Sequence, residues 1–270
     1  MRAAGAGVTP DLAARFWLAG RRALVTGASG TLGARFAEVL AGAGAAVALA
    51  ARRTAPMAAL RDRIEGAGGR ACVVALDLAD PATIPAAFDT VEAALGGPVG
   101  IVVNNSGIAS PGLLLDQPDD DWAAVMAVNL DGARRVAAEA VRRLVAAGAG
   151  EEAGGSIVNV ASILGLRQGA GVSAYATSKA ALVQLTKQQA LEWARHGIRV
   201  NALAPGYIET DMNRGFFATE AGQAQVRRIP MRRIGRAEEL DGALLLASDA
   251  GSFITGTALV ADGGHLVSPL

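Results

Sequence analysis

In Ala23-Leu-Val-Thr-Gly-Ala-Ser-Gly-Thr-Leu-Gly33, a short apolar run passes directly into glycines that open a helical pattern. Glycine permits a tight turn and a close approach of the backbone to a ligand. The N-terminus of a helix offers unpaired N–H groups and a positive dipole end to an anion. The alternative to phosphate binding is that these glycines serve only the packing of the helix against the strand. We predict that this turn binds the pyrophosphate of a dinucleotide through Gly27, Ser29, Gly30, Thr31 and Leu32.

Short runs of Val, Ile, Leu and Ala alternate with longer helical patterns from residue 22 onward. This alternation indicates an α/β fold, a Rossmann-like, doubly wound and mostly seven-stranded parallel sheet with helices on both faces. Strands are predicted at 22–26, 46–50, 71–76, 99–104, 155–161, 198–204 and 257–261. Helices are predicted at 31–43, 55–67, 81–95, 119–147, 174–196 and 236–248.

Composition bounds the organisation of the chain and its partners. The 270 residues are 51% hydrophobic, and no linker divides them. We expect a loose N-terminal extension over 1–15 and a single dinucleotide-binding catalytic domain over 16–270. Lys+Arg and Asp+Glu balance at 25 each, so we expect neither nucleic acid nor membrane as a partner. No long apolar segment and no metal-ligand spacing is present in the sequence, which favours a cytoplasmic protein without a metal.

The end of the second predicted strand bears on the choice of cofactor. An acidic side chain there would bond a ribose 2′-hydroxyl and repel a 2′-phosphate. The chain instead has Ala51, Arg52 and Arg53. Guanidinium groups suit a phosphate through charge-assisted hydrogen bonds. We therefore predict a preference for NADP(H), with NAD(H) possible. The alternative is that these arginines only solvate a strand end.

Three side chains suit the chemistry of a carbonyl that receives a hydride. Tyr175 and Lys179 lie four residues apart and share one helix face, so the ammonium is expected to lower the pKa of the phenol. The phenol then donates a proton near neutral pH. Ser162, thirteen residues before Tyr175, can hydrogen-bond the same oxygen. A tyrosine and a lysine at this spacing also occur together by chance, so the order of all the motifs carries the argument.

Together these motifs resemble the short-chain dehydrogenase/reductase family over residues 16–268. Asn104-Asn-Ser-Gly107 resembles the family's Asn-Asn-Ala-Gly, and Asn129 falls where the family has a helix asparagine. The resemblance implies that Asn129 supports a water linking Lys179 to solvent, and that Lys179 also holds the nicotinamide ribose. It implies a catalytic tetrad of Asn129, Ser162, Tyr175 and Lys179.

The resemblance also implies cofactor contacts beyond the glycine turn. Asp77 and Leu78 resemble the pair beside adenine, and Pro205-Gly206 with Thr210 resembles the segment that holds the nicotinamide carboxamide. The remaining contacts that it implies are Asn104, Ser106, Gly107, Tyr175, Lys179 and Ile208. Thr31 departs from the family pattern, because it stands at the usual middle glycine while Gly30 precedes it. The resulting glycine spacing is similar to that of the longer sugar-nucleotide branch.

The predicted function is NAD(P)-dependent interconversion of a ketone and a secondary alcohol, with Tyr175 as acid and base. The chain resembles 3-oxoacyl-carrier-protein reductases and gluconate or polyol dehydrogenases, which implies a small-molecule carbonyl or alcohol substrate and a homotetramer or dimer. Alternatives are a sugar-nucleotide epimerase of the same fold and a non-catalytic nucleotide-binding regulatory protein.

The loop after Gly206 is expected to influence the choice of substrate. We predict that it forms a partly apolar lid over the substrate. Its apolar residues are Tyr207, Met212, Phe216 and Phe217. Charged residues in the same region are also compatible with a polar or acidic substrate. His265 is interpreted as an ordinary structural residue, and a position near the pocket or a neighbouring subunit is the alternative.

Overall fold

The computed structural model describes residues 11–148, 154–211 and 213–268. Within these ranges, a seven-stranded sheet has the order β3-β2-β1-β4-β5-β6-β7, and every pairing is parallel. The strands are β1 Arg22–Thr26, β2 Ala46–Ala51, β3 Arg70–Ala75, β4 Ile101–Asn104, β5 Gly155–Val160, β6 Ile198–Pro205 and β7 Ala258–Ala261. The predicted doubly wound sheet is confirmed, with strand limits within two residues of those expected.

Helices cover both faces of the sheet. They are α1 Thr31–Gly42, α2 Ala55–Gly66, α3 Thr83–Leu95, α4 Asp119–Met126, α5 Ala133–Ala146, α6 Ser173–Trp193, α7 Arg214–Phe217, α8 Glu220–Val226 and α9 Ala243–Ala247. Side chains of a strand alternate between the faces. Val25 therefore packs in the core with α1, α2 and α9, whereas Leu24 packs in the core with α3 and α5.

Two helix predictions need correction. The helix expected over 119–147 is interrupted by a π-helical stretch, Ala127–Gly132. Gly132 touches the loop after β3 there, since a Cβ at this position would lie 2.6 Å from Leu78 Cβ. The helix expected over 236–248 divides into a 3-10 turn, Ala237–Leu240, and the short α9. The sequence patterns also missed α7 and α8.

The described N-terminal residues contact the body of the fold. Ala14–Phe16 form a 3-10 turn, and Arg15 donates to the carbonyl of Asp249 at 2.8 Å. Residues 1–10 of the expected extension lie outside the described residues, as does Met212 of the expected lid. Across the described ranges, no helix combines the length and the apolar character needed to span a membrane.

The strand order defines where a ligand binds. From β1 the chain proceeds to β2 and β3 on one side of the sheet, then crosses to β4 on the other side of β1. In open parallel sheets, ligands bind beyond the carboxyl ends of the strands at such a switch point. The glycine turn follows β1 at this edge, and the loops after β4, β5 and β6 lie beside it.

Candidate active site

The glycine turn after β1 depends on two of its glycines. Gly27 has a φ of 67°, a left-handed conformation that favours glycine. A Cβ at Gly33 would lie 2.3 Å from the carbonyl oxygen of Gly27, so only glycine fits. Gly30 is less constrained, because a Cβ there would lie 3.6 Å from the same oxygen. Close packing of the turn therefore rests on Gly27 and Gly33.

The N-terminus of α1 presents backbone donors at the switch point. Gly30 caps this helix in an extended conformation and supplies no side-chain hydrogen bond. The first N–H groups of a helix lack intrahelical partners. Thr31, the first helical residue, and Ser29 are exposed, and Leu32 is half-buried. This end of α1 can therefore accept the pyrophosphate of a dinucleotide.

Asn105 joins β4 to the glycine turn. Its Nδ2 donates to the carbonyl oxygens of Thr26 at 3.0 Å and Gly27 at 3.3 Å. In return, Thr26 Oγ1 accepts from the backbone N–H groups of Asn105 and Ser106, both at 3.0 Å. The prediction did not include Thr26 or Asn105 among the site residues. Their position in the two quoted motifs is the signal that identifies them.

Asn104 points into the protein interior. Its Nδ2 donates to Asn159 Oδ1 at 2.9 Å and to the carbonyl of Ala133 at 3.2 Å, whereas its buried Oδ1 has no partner among the described residues. Asn159 in turn donates to Thr186 Oγ1 at 2.9 Å. The amide of Asn104 therefore connects β4 to β5 and, through Asn159, to α6.

Positively charged side chains follow the carboxyl end of β2. Arg52 and Arg53 are exposed, and neither forms a hydrogen bond or an ion pair within the described parts of the chain. Beyond β3, the carboxylate of Asp77 accepts the N–H of Ala79 at 3.0 Å, and Leu78 is buried. The two arginines are thus free to bind an anion at the adenosine end of a dinucleotide.

The structure brings Ser162 and Tyr175 together. Ser162 begins a 3-10 turn after β5, and its Oγ accepts the N–H of Leu164 at 3.1 Å. Tyr175 lies in the first turn of α6. Burial raises the pKa of Tyr175, and its hydrogen bond with Ser162 acts in the opposite direction. These two hydroxyls can contact one substrate oxygen together.

Lys179 lies one helical turn after Tyr175 and is only 3% exposed. Its Nζ donates to the carbonyl of Val160 at 2.7 Å and lies 5.6 Å from the centre of the Tyr175 ring. Burial lowers the pKa of Lys179 to about 8. The pKa of Tyr175 is raised overall and not lowered as predicted, because burial of the phenol outweighs the opposing hydrogen bond.

Asn129 lies in the π-helical stretch and holds two parts of the site. Its Oδ1 accepts the N–H of Ile108 at 2.8 Å, and its Nδ2 donates to the Ile108 carbonyl at 2.9 Å and to Ser178 Oγ at 3.0 Å. Ser178, which the prediction missed, donates to the carbonyl of Tyr175 at 2.7 Å. A Cβ at Gly107 would lie 3.4 Å from both Asn129 Oδ1 and Lys179 Nζ.

The segment after β6 packs closely against the turn after β7. Pro205 ends β6, and a Cβ at Gly206 would lie 2.6 Å from Asp262 Cβ. Asn213 holds the next residues, since its Nδ2 donates to the Ile208 carbonyl at 2.7 Å and its Oδ1 accepts the Thr210 N–H at 2.9 Å. The side chain of Ile208 is buried.

An aromatic cluster lies beside this segment. The ring of Tyr207 lies 5.2 Å from Phe217 and 5.5 Å from His265, and Phe216 lies 5.2 Å from Phe217. His265 is 8% exposed, and burial lowers its pKa. The described apolar residues of the expected lid therefore contact one another, and His265 lies against Tyr207 in the same chain.

Comparisons with known proteins agree with this geometry. The model of a family described as enoyl-(acyl carrier protein) reductase matches residues 27–265. The chain is 35% identical to gluconate 5-dehydrogenase of Gluconobacter oxydans over 96% of its length and 98% of that protein. It is 36% identical to 3-oxoacyl-[acyl-carrier-protein] reductase of Salmonella typhimurium over 91% of its length and 97% of that protein.

A solved structure matches over almost the whole chain. The crystal structure of a gluconate 5-dehydrogenase from Burkholderia cenocepacia, in complex with NADP and tartrate, has a TM-score of 0.88 and 39% sequence identity. The match covers 95% of this chain and 99% of that structure.

Proposed function

We propose that this chain, which belongs to the short-chain dehydrogenase/reductase family, is an NAD(P)-dependent enzyme that prefers NADP and interconverts a ketone and a secondary alcohol. One observation carries the proposal. Ser162, Tyr175 and Lys179 lie together beyond β5, at the same sheet edge as the glycine turn after β1. A proton donor therefore lies next to a site that suits a dinucleotide.

The proposed roles of the side chains follow from the charge that develops on the substrate oxygen. A bound nicotinamide cofactor supplies the hydride for reduction, or accepts it for oxidation. During reduction, Tyr175 gives its hydroxyl proton to the carbonyl oxygen, while Ser162 donates a hydrogen bond to that oxygen. During oxidation, the phenolate of Tyr175 takes the proton of the alcohol. The Lys179 ammonium stabilises this phenolate through its positive charge.

The residues around the switch point fit NADP. The uncapped N-terminus of α1 would hold the pyrophosphate, and the unpaired Arg52 and Arg53 would hold the 2′-phosphate. Asp77 and Leu78 would flank the adenine. The proposed contacts at the nicotinamide end are Ser106, Gly107, Tyr175, Lys179, Pro205, Gly206, Ile208 and Thr210. Asn104 could contribute only through its backbone, because its side chain is bonded in the interior. Several solved relatives carry bound NADP, which supports the same cofactor here.

The substrate is proposed to be a small polyhydroxy compound or hydroxy acid. Relatives include a gluconate 5-dehydrogenase and a galactitol 2-dehydrogenase, both of which the chain matches over more than nine-tenths of its length. The aromatic cluster of Tyr207, Phe216 and Phe217 supports a site covered by a lid.

We further propose a cytoplasmic homotetramer. Large apolar side chains are exposed on several elements, and such surfaces are typical of subunit contacts. They include Leu115, Leu191 and Phe253. Light scattering coupled to gel filtration measures the assembly directly, and a monomer at micromolar concentration would contradict the proposal.

The test of the activity is the initial rate of NADPH oxidation, with NADH in parallel, against keto sugars, keto acids, acyl thioesters and aryl ketones. We expect turnover with one of these classes and a faster rate with NADPH. Tightly retained cofactor without net redox turnover would favour the epimerase alternative. Cofactor binding without turnover, unaffected by Tyr175→Phe, would favour a regulatory protein.

A further inference from the structure

Arg167 connects the loop after β5 to the turn after β7. It lies five residues after Ser162, in the loop that follows β5, and its Nη1 donates to the backbone carbonyl of His265 in the turn that follows β7. β6 lies between β5 and β7 in the sheet. The bond therefore connects the loops on the two sides of β6, whose carboxyl end carries Pro205 and Gly206 of the proposed nicotinamide contact.

The charge of this guanidinium is not neutralised by a neighbouring acid. Arg167 has no carboxylate partner within 4 Å in the part of the chain that the structure describes. Asp262, an acid near His265, is already bonded, since its oxygens accept the N–H groups of Gly264 at 2.8 Å and Leu266 at 2.5 Å. An arginine has five N–H donors, and only the bond to the His265 carbonyl is formed here. The others remain for a ligand.

His265 adds a second polar group next to Arg167. Its Nδ1 is buried and has no hydrogen-bond partner in the described ranges. Its ring packs against Tyr207, and its pKa is lowered by burial and by the charges of Arg167 and Arg228, while Asp262 acts in the opposite direction. A buried polar atom without a partner costs free energy unless a ligand or water completes it. Among the described residues, the same corner therefore combines a guanidinium without an ion-pair partner and a ring nitrogen without a hydrogen-bond partner.

We propose that Arg167 binds the carboxylate of a small hydroxy-acid substrate and that His265 Nδ1 completes this subsite. The inference rests on the proposed function, since it assigns the substrate class of that site. A planar guanidinium binds a carboxylate through two parallel hydrogen bonds. A neutral polyol has no carboxylate that could accept them. The ring of Tyr207 lies 5.5 Å from His265 and therefore borders the subsite.

The test compares an acid with its neutral counterpart by calorimetry on the NADP-loaded protein. The probes are gluconate and tartrate as acids, and glucitol as the neutral polyol. Wild-type protein should bind at least one acid more tightly than glucitol. Arg167→Gln should weaken binding of that acid about 10- to 100-fold, the range of a lost charge-assisted pair, and leave glucitol binding unchanged. Arg195→Gln, an exposed arginine after α6, should change neither.

Two measurements separate a binding role from a structural one. The affinity for NADPH and the melting temperature of Arg167→Gln should match the wild type, since the backbone turn after β7 is also held by Asp262. His265→Ala should weaken acid binding less than Arg167→Gln. The proposal is overturned if neither acid binds the wild type, or if Arg167→Gln weakens acid and polyol equally.

The outcome is distinguishable from a failure of the proposed activity. Turnover of neutral polyols or acyl thioesters, without acid binding, would support the dehydrogenase and overturn the carboxylate subsite. Acid binding that depends on Arg167, without hydride transfer to any probe, would support the subsite and overturn the proposed activity.

Discussion

The Lys179 ammonium donates a hydrogen bond to the backbone carbonyl of Val160, the last residue of β5, at 2.7 Å. Val160 precedes Ser162 by two residues, and Lys179 follows Tyr175 by one helical turn. A single hydrogen bond therefore fixes the start of α6 relative to the loop that carries the serine. The fold therefore brings the Ser162 and Tyr175 hydroxyls together before a substrate binds.

The buried Lys179 charge should reduce the stability of the protein at neutral pH. Its pKa is about 8, against an ordinary value of 10.5, so the folded state disfavours the protonated form. Below pH 8 the lysine is protonated in both states, and folding bears the full cost of burying the charge. Lys179→Met should therefore raise the free energy of unfolding at pH 7 by about 2 kcal/mol, after subtraction of the lost hydrogen bond.

The pH dependence provides the check on this prediction. The cost of the charge should decline as pH rises from about 8 to 10.5, because the folded lysine is then neutral while the unfolded lysine still binds its proton. The stability advantage of Lys179→Met should disappear over the same interval in denaturant titrations. Lys187→Met is the matched control, since Lys187 is exposed on the same helix and should show no such trend. A difference that stays constant with pH would contradict the buried-charge explanation.

Replacement of Tyr175 by Phe removes the proposed proton donor and keeps the ring. The rate of ketone reduction should fall at least ~10²-fold, the scale of general acid catalysis. The affinity for NADPH should change little, because the lost hydroxyl contacts the substrate. Initial rates and fluorescence titration with NADPH measure the two quantities. Thr177→Val, at an exposed position of α6, should keep the wild-type rate. A Tyr175→Phe enzyme with wild-type activity would exclude the proposed mechanism.

Strands were predictable from the sequence because both faces of a parallel sheet are buried. Their residues then form continuous apolar runs, such as Ala46–Ala51, that are visible without tertiary information. The π-helical stretch Ala127–Gly132 was not predictable, since it occurs where Gly132 meets Leu78 from a distant loop. The short helices α7 and α8 lie in a loop whose composition carries no clear helical period.

The candidate site was predictable in its residues but not in their hydrogen bonds. Residue spacing placed Tyr175 and Lys179 on one helix face, and motif order placed Ser162 nearby. The partner of Lys179 is a backbone carbonyl. Because every residue has a backbone carbonyl, the sequence does not indicate which one Lys179 binds. Asn104 and Asn105 stand side by side in one motif, yet one enters the interior and the other binds the glycine turn. Asn104 is the last residue of β4 and Asn105 the first of the loop, so their side chains leave the backbone in different directions.

The two arginines after β2 should decide the preference for NADPH. Their side chains have no hydrogen-bond or ion-pair partner among the described residues. They can therefore bind a 2′-phosphate without breaking existing bonds. Replacing both Arg52 and Arg53 by Ala should weaken NADPH binding about 10- to 100-fold and leave NADH nearly unaffected. Arg61→Ala, within α2, is the control, because Arg61 already pairs with Asp62. An equal loss of affinity for NADPH and NADH would show that these arginines do not bind the 2′-phosphate.

The glycine turn offers a matched pair of variants. Gly33→Ala places a Cβ 2.3 Å from the Gly27 carbonyl oxygen and 2.8 Å from Asn105 Nδ2, so the turn must shift. We expect a loss of about 1–3 kcal/mol in the free energy of unfolding, typical of overpacking. Gly30→Ala meets only an ordinary contact at 3.6 Å, and its φ of −99° suits alanine. Its stability without cofactor should stay within about 0.5 kcal/mol of the wild type.

Denaturant titration of both glycine variants without cofactor, followed by NADPH titration, separates packing of the turn from ligand contact. Gly33→Ala should lose stability and cofactor affinity together, because the displaced Gly27 backbone borders both α1 and the dinucleotide site. Gly30→Ala should lose affinity alone if the pyrophosphate approaches its Cβ. Equal stability of the two variants would mean that the turn relaxes around an added methyl group. The close approach of Gly33 to Gly27 would then not determine the conformation of the site.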